Sequence, residues 1–269
     1  MSSDLNLWSA VATGDVDAAR ILLQTPGVDV DAYDATGATL TYVAAAHGHT
    51  AMVELLADEG GADISKATPD DAKSLLVESW LLDPPPQDIV DRIDGRACPL
   101  YIAALNGRVD TVRVLIERGA DVNQTKMSGD TPLYGAAEDG RTDVVAILLE
   151  NGGGVNQADN YGITPVWIAS CEGHTAIIKL LLETGGDVNQ ANNNSATPVF
   201  IASMNGHTAA LKLLLKNCGN VNQARNDDTT PMYMAAQNGH TAALKLLIEN
   251  GGDVNQTDNA GFTPVSAAS

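Results

Sequence analysis

Apolar residues in this chain fall in short bursts at helical spacing, separated by stretches of Asn, Asp and Gly. In residues 158–190 the first burst follows Thr164-Pro165, where the threonine can cap a helix and the proline's missing N–H costs nothing in the first turn. That helix runs about ten residues at most before Gly173, which suits a left-handed C-terminal stop. The second burst places Ile177, Leu180 and Leu181 at i, i+3 and i+4, predicting another helix that ends at Leu182-Glu183-Thr184-Gly185-Gly186. Asp187-Val188-Asn189-Gln190 and Ala191-Asn192-Asn193-Asn194 are turn chemistry, because Asn and Asp bond their own backbone and tolerate the left-handed region. One unit is therefore two short antiparallel helices and a projecting turn.

The unit repeats. Thr-Pro stands at Thr131-Pro132, Thr164-Pro165, Thr197-Pro198, Thr230-Pro231 and Thr263-Pro264, each step being 33 residues, with Cys98-Pro99 one step upstream. Gly173-His174, Gly206-His207 and Gly239-His240 keep the same period, as do the asparagines of Val-Asn-Gln at Asn123, Asn156, Asn189, Asn222 and Asn255. Two helices cannot cover their own apolar stripe, so neighbouring units must stack into one core. Ala136, Ala137, Ala169 and Ala202 let the first helices approach closely.

Gly162-Ile163-Thr164-Pro165-Val166-Trp167-Ile168-Ala169, followed by Gly173-His174 and Asp187-Val188-Asn189, resembles the ankyrin repeat, and the resemblance covers almost the whole chain. It implies an all-α fold, an ankyrin-repeat solenoid of stacked helix-turn-helix units with projecting turns, whose turns and inner helices form a concave protein-binding face. We expect a single domain over 1–269. Within it, 5–32 is an N-terminal cap repeat, 34–66 a divergent repeat with Thr39-Leu40 in place of Thr-Pro, and 95–256 five consensus repeats. Residues 257–269 are a truncated repeat, which points to a fragment of a longer protein or to a partner over the uncapped end. Residues 67–94 are either a degenerate repeat that still stacks or an inserted helical hairpin: Thr68-Pro69-Asp70-Asp71 opens a helix, Trp80 reads as core, and Pro84-Pro85-Pro86 ends it.

Charge narrows the partner class. Fifteen Lys and Arg against thirty-four Asp and Glu give a net charge of −19, which repels nucleic acid and anionic lipid. A protein partner with a basic surface fits it. Cys98, Cys171 and Cys218 lack CxxC spacing and read as reduced thiols of a cytoplasmic protein. No catalytic, phosphate-binding or cofactor motif occurs, so neither an enzyme nor a cofactor is expected. His49, His174, His207 and His240 occupy one equivalent position per unit, too far apart for shared metal coordination, and are read as structural. The Asn-X-Ser/Thr sequons at Asn123, Asn193 and Asn255 are read as accidental. By the resemblance, Asn123, Asn189 and Asn255 match a pattern for asparagine hydroxylation.

The resemblance usually brings a histidine after Thr-Pro-Leu, whereas this chain has Trp8, Tyr42, Tyr101, Tyr134, Trp167, Phe200 and Tyr233 there. An internal aromatic ladder is the expected reading. The positions that vary with the partner in the family correspond to Met127, Ser128, Asp130, Glu138 and Asp139, then to Asn160, Tyr161, Ile163, Cys171 and Glu172. In the next two units they are Asn193, Asn194, Met204 and Asn205, then Asn226, Asp227, Gln237 and Asn238. Tyr161, Ile163, Met127 and Met204 are the expected anchors, since aromatic and flexible apolar groups dominate hot spots. The function so implied is a non-enzymatic interaction module or scaffold, monomeric unless the uncapped end pairs. The alternative is a targeting or regulatory arm of a longer enzyme or channel.

Overall fold

The computed structural model describes residues 2–34, 36–69 and 97–267, and among these every regular element is a helix. Most of the segment 67–94 lies outside the described residues, Trp80 included, so neither reading of it is tested. The chain divides into two compact units, Met1–Gly153 and Gly154–Ser269.

The first unit holds α1 (Ser2–Thr13), α2 (Val16–Leu23), α3 (Leu40–His47), α4 (Thr50–Asp58), α5 (Pro99–Leu105), α6 (Val109–Glu117), α7 (Pro132–Glu138) and α8 (Thr142–Glu150). Inner helices pack on inner helices, α1 on α3, α3 on α5 and α5 on α7, while α2, α4, α6 and α8 form the outer row. Leu40, Tyr42, Met52, Leu56, Leu100, Tyr101, Ile102, Leu115, Leu133 and Leu148 are fully buried between the rows. The second unit repeats this with inner helices α9 (Pro165–Glu172), α11 (Pro198–Met204), α13 (Pro231–Gln237) and the short α15 (Pro264–Ala267). Its outer helices are α10 (Thr175–Glu183), α12 (Thr208–Lys216) and α14 (Thr241–Glu249).

Local chemistry sets the helix starts. The Oγ1 of Thr164 accepts from the Trp167 N–H at 3.2 Å and that of Thr197 from Phe200 at 3.2 Å, with proline in the first turn of each helix. Thr39 caps α3 in the same way without a proline, and the Cys98 thiol substitutes for the hydroxyl at α5, its Sγ 3.4 Å from the Tyr101 nitrogen. Gly173 ends α9 at φ +77°, and a Cβ there would stand 2.7 Å from the Nδ1 of His207, so both backbone and neighbour require glycine.

That His207 ring exemplifies the histidine row. His49 and His240 place Nε2 3.1 Å from the Ala12 carbonyl and 3.0 Å from the Met204 carbonyl of the preceding repeat. Arg108 and Arg141 take the equivalent place, donating to the Ala46 and Leu105 carbonyls at 3.1 and 3.0 Å. The aromatic row is internal at Tyr42, Tyr101, Tyr134, Trp167 and Phe200, all buried, while Trp8 and Tyr233 are half-buried. In α10 the buried residues are Ile177, Ile178 and Leu181, and Leu180 is half-exposed. The helix is so uniformly apolar that spacing alone does not tell which residues face inward.

On either side of residues 70–96 the helix pairs touch directly, α3 on α5 and α4 on α6. Thr68 donates its N–H to the Ala97 carbonyl at 2.9 Å, and its Oγ1 accepts from the Ala97 N–H at 3.0 Å. The same two bonds close the ordinary turn at Asp159 and Ile163, where the backbone bond is 3.0 Å and the side-chain bond 2.7 Å.

Candidate interaction face

The turns that precede the inner helices are built by one short polar side chain. Asp159 accepts from the N–H groups of Tyr161 and Ile163 at 2.8 and 2.7 Å, and Asn192 does the same for Asn194 and Ala196, both at 3.0 Å. Such self-bonded turns hold their shape without a partner.

Within residues 154–267 these turns are also tied to one another. The N–H of Asn193 donates to the Tyr161 carbonyl at 2.9 Å, that of Asn226 to Asn194 at 3.0 Å, and that of Asn259 to Asp227 at 3.3 Å. Side chains add to the row: Asn193 Nδ2 donates to the Asn160 carbonyl at 3.0 Å, and Ser195 Oγ to Asn226 Oδ1 at 2.5 Å. The approach is close enough that a Cβ at Gly162, itself at φ +78°, would meet Asn193 Oδ1 at 2.6 Å.

The structure thus brings Asn160, Tyr161, Asn193, Asn194 and Asn226 into one hydrogen-bonded row, with all five exposed and Tyr161 at 66%. Ile163 is half-buried beneath it. Asp227 is half-buried and ion-paired to Arg225, whose guanidinium holds the Asp227 carboxyl well below the usual carboxylate range. At the far ends of the inner helices, the Nδ2 of Asn205 donates to the Cys171 carbonyl at 2.9 Å and that of Asn238 to the Met204 carbonyl at 2.8 Å. Cys171, Met204 and Asn205 are half-buried, while Glu172, Gln237 and Asn238 are exposed.

In the first unit Met127 is 51% exposed, and Ser128, Glu138 and Asp139 are half-buried. Asp139 lies 3.3 Å from Arg141. Two candidates turn polar atoms inward: the Ser128 hydroxyl is buried, and Asp130 is 6% exposed with its carboxylate paired to Lys126 at 2.7 Å, while that ammonium lies over the Tyr101 ring. The measurable role of Asp130 is internal, because a buried ion pair is unavailable to a partner without breaking.

Sequence reasoning passed over Ser195 and Asp228. Both hold positive φ, 64° and 59°, in a turn position where other units have Gly129, Gly162 and Gly261. Aligning the chain on its own period reveals them as the non-glycine exceptions. Among the described residues no group of three or more His, Cys, Asp and Glu is placed to hold a metal ion. No described helix is long and apolar enough to cross a membrane.

Comparison with known proteins agrees with this architecture. Ankyrin-repeat family models match residues 7–57 and, in overlapping stretches, 71–159, 100–192, 151–223 and 185–258. The chain belongs to the ankyrin-repeat family, whose repeats serve in general as non-catalytic protein-interaction modules. It is similar to the tyrosine-protein kinase HTK16 of Hydra vulgaris, being 28% identical over 125 residues, 46% of this chain and 13% of that protein. The chain therefore spans about an eighth of that relative's length.

Proposed function

We propose that this chain is a non-enzymatic interaction module that holds a protein partner on its inner-helix face and turn tips, and that the partner offers a basic surface. The observation that carries the reading is the row of turns tied by backbone hydrogen bonds, which holds Tyr161 at 66% exposure on a preorganised edge. Preorganisation lowers the cost of association, and exposed aromatic groups on rigid supports make effective anchors. We assign the chain to the cytoplasm, monomeric, on its three cysteines, none of them in a disulfide, and its net charge of −19. Within the interaction set, Asp130 is reassigned to the core of the first unit, and the other candidates remain proposed contacts.

A second reading has one observation in its favour. The relative from Hydra is a tyrosine-protein kinase, and only a small share of it corresponds to this chain. The module would then be the targeting or regulatory arm of a longer enzyme, binding by the same face.

Affinity capture from the native organism tests the first reading. Tyr161→Ala and Met204→Ala should each weaken a recovered complex by about 1–2 kcal/mol with helicity unchanged. Unchanged affinity in both, with loss on substituting Lys212 or Lys245 of the outer helices, would move the partner to the other side.

A further inference from the structure

The lysines of residues 154–267 are confined to one layer, which also carries the exposed Glu183 and Glu249, 3.7 and 4.0 Å from Lys179 and Lys245. Lys179, Lys212, Lys216 and Lys245 all lie exposed on the outer helices α10, α12 and α14. The remaining cation, Arg225, is closed by the Asp227 carboxylate and lies over the Phe200 ring, 5.7 Å from its centroid. The inner side accordingly has no cation free to meet an anion among its described residues.

What it offers instead is acceptors. Asn205 and Asn238 spend their Nδ2 groups on carbonyls of the preceding repeat, which leaves each Oδ1 pointing the other way. Asp159 and Asp258 are spent on N–H groups of their own turns. Glu172, at the end of α9, and Asp228, at a turn tip, are exposed, and among the described residues nothing donates to either carboxylate. Asp228 also occupies a left-handed conformation that glycine holds without steric cost at 129, 162 and 261. Aspartate tolerates that conformation better than most side chains, and here it places a carboxylate facing solvent where those other turns have no side chain.

We propose that the inner-helix face and turn tips of residues 154–267 take a lysine- or arginine-rich segment of a protein partner, with Glu172 and Asp228 as the contacting carboxylates. The proposal rests on the interaction reading above and specifies its chemistry. Donor-rich cations complete the acceptors of this side, whereas the opposite layer presents Lys212 and Lys216 with no carboxylate paired to them among the described residues, so a basic segment is favoured on the inner side.

The test is panning of a random-peptide phage library on the full chain at physiological salt, followed by titration of the recovered peptides. Recovered peptides should be net basic and should bind more weakly as salt is raised. Asp228→Gly and Glu172→Gln should each weaken them by roughly fivefold or more, as loss of a charge contact does. The glycine variant should melt at the same temperature as the parent or higher, which separates lost contact from lost fold. A variant carrying Lys212→Ser and Lys245→Ser should bind as the parent does. Enrichment of acidic or apolar peptides, or full binding by Asp228→Gly, overturns this proposal and leaves the interaction reading standing. Recovery of no peptide above background overturns both.

Discussion

The side-chain amide of Asn189 brackets the loop of the following repeat: its Nδ2 donates to the Cys218 carbonyl at 3.1 Å, and its Oδ1 accepts from the Asn220 N–H at 2.7 Å. Asn156 makes the same pair with Gly185 and Asp187 at 3.0 and 2.7 Å, and Asn222 with Gly251 and Asp253 at 3.1 and 2.8 Å. The recurring Val-Asn-Gln is therefore a clamp between repeats, which needs one donor and one acceptor on a side chain of fixed length. The asparagine amide supplies them on separate atoms at that reach.

Asn189→Asp keeps the acceptor and sets a carboxylate oxygen against the Cys218 carbonyl. We expect a loss of about 1–2 kcal/mol, the scale of a hydrogen bond replaced by a clash of acceptors. Urea unfolding should show it as a lower midpoint at unchanged slope. A midpoint equal to that of the parent would mean that the clamp contributes nothing to stability.

Trp167 joins repeats by a different bond, its indole Nε1 donating to the Ala196 carbonyl at 2.9 Å. Ala196 is 4% exposed, and its carbonyl also accepts from the Asn192 N–H at 3.0 Å, so removing the indole donor takes away the second of two bonds. Phe200 fills the equivalent position one repeat later, which shows that the site accepts a phenyl ring. Trp167→Phe should fold with native helicity yet lose about 0.5–1.5 kcal/mol, the net value of one hydrogen bond, since the carbonyl keeps its bond from Asn192. Equal stability by thermal unfolding would show that the indole bond contributes nothing beyond the one from Asn192.

Helix starts, stops and the repeat itself were legible because they rest on local chemistry: Thr164 needs only the N–H of Trp167, and Gly173 only its own φ. The burial of Asp130 was not legible, since it depends on Lys126 lying over Tyr101, a residue of the preceding repeat. The buried side of α10 was not legible for a related reason: which of its apolar residues face inward is decided by the neighbouring helices. Of the candidate face, the exposure of Tyr161 follows from its place in a turn, but the bond from Asn193 that fixes its carbonyl belongs to the meeting of two turns. Asp228 was legible in principle, as an acidic residue in register with glycines.

The three cysteines should differ sharply toward a thiol reagent. Cys218 is exposed, Cys171 half-buried and Cys98 buried, with burial pushing the Cys98 thiol up to about 11. Because the thiolate is the reacting form, labelling at mild alkaline pH should modify Cys218 first and Cys98 only on unfolding. The raised value also has a stability consequence. The folded state holds the Cys98 proton more tightly than the unfolded state, so its contribution is fully present below the ordinary thiol value of 9.0 and is lost as pH rises through about 11. Cys98→Ser should flatten the part of the alkaline stability loss that this thiol causes. Rapid labelling of Cys98 in the native protein would show that the N-cap of α5 opens.

The bonds between Thr68 and Ala97 make a sharper prediction about chain connectivity. They are the pair that closes the turn from Asp159 to Ile163, and in that turn only residues 160–162 stand between the bonded ends. Here residues 69–96 stand between them, while α3 still packs on α5 and α4 on α6. Further ties cross the same junction: Arg118 to Asp58 at 2.7 Å, Asn106 to the Ala46 carbonyl at 3.2 Å, and Thr50 to Thr111 at 2.8 Å. None of these contacts is made by residues 69–96. Replacing 69–96 by the Asn-Tyr-Gly of residues 160–162 should therefore leave the repeats on both sides folded and joined. We expect a single unfolding transition at an unchanged midpoint. Separation into two transitions, or protease sensitivity spreading into α3 and α5, would show that residues 69–96 supply contacts on which the junction depends.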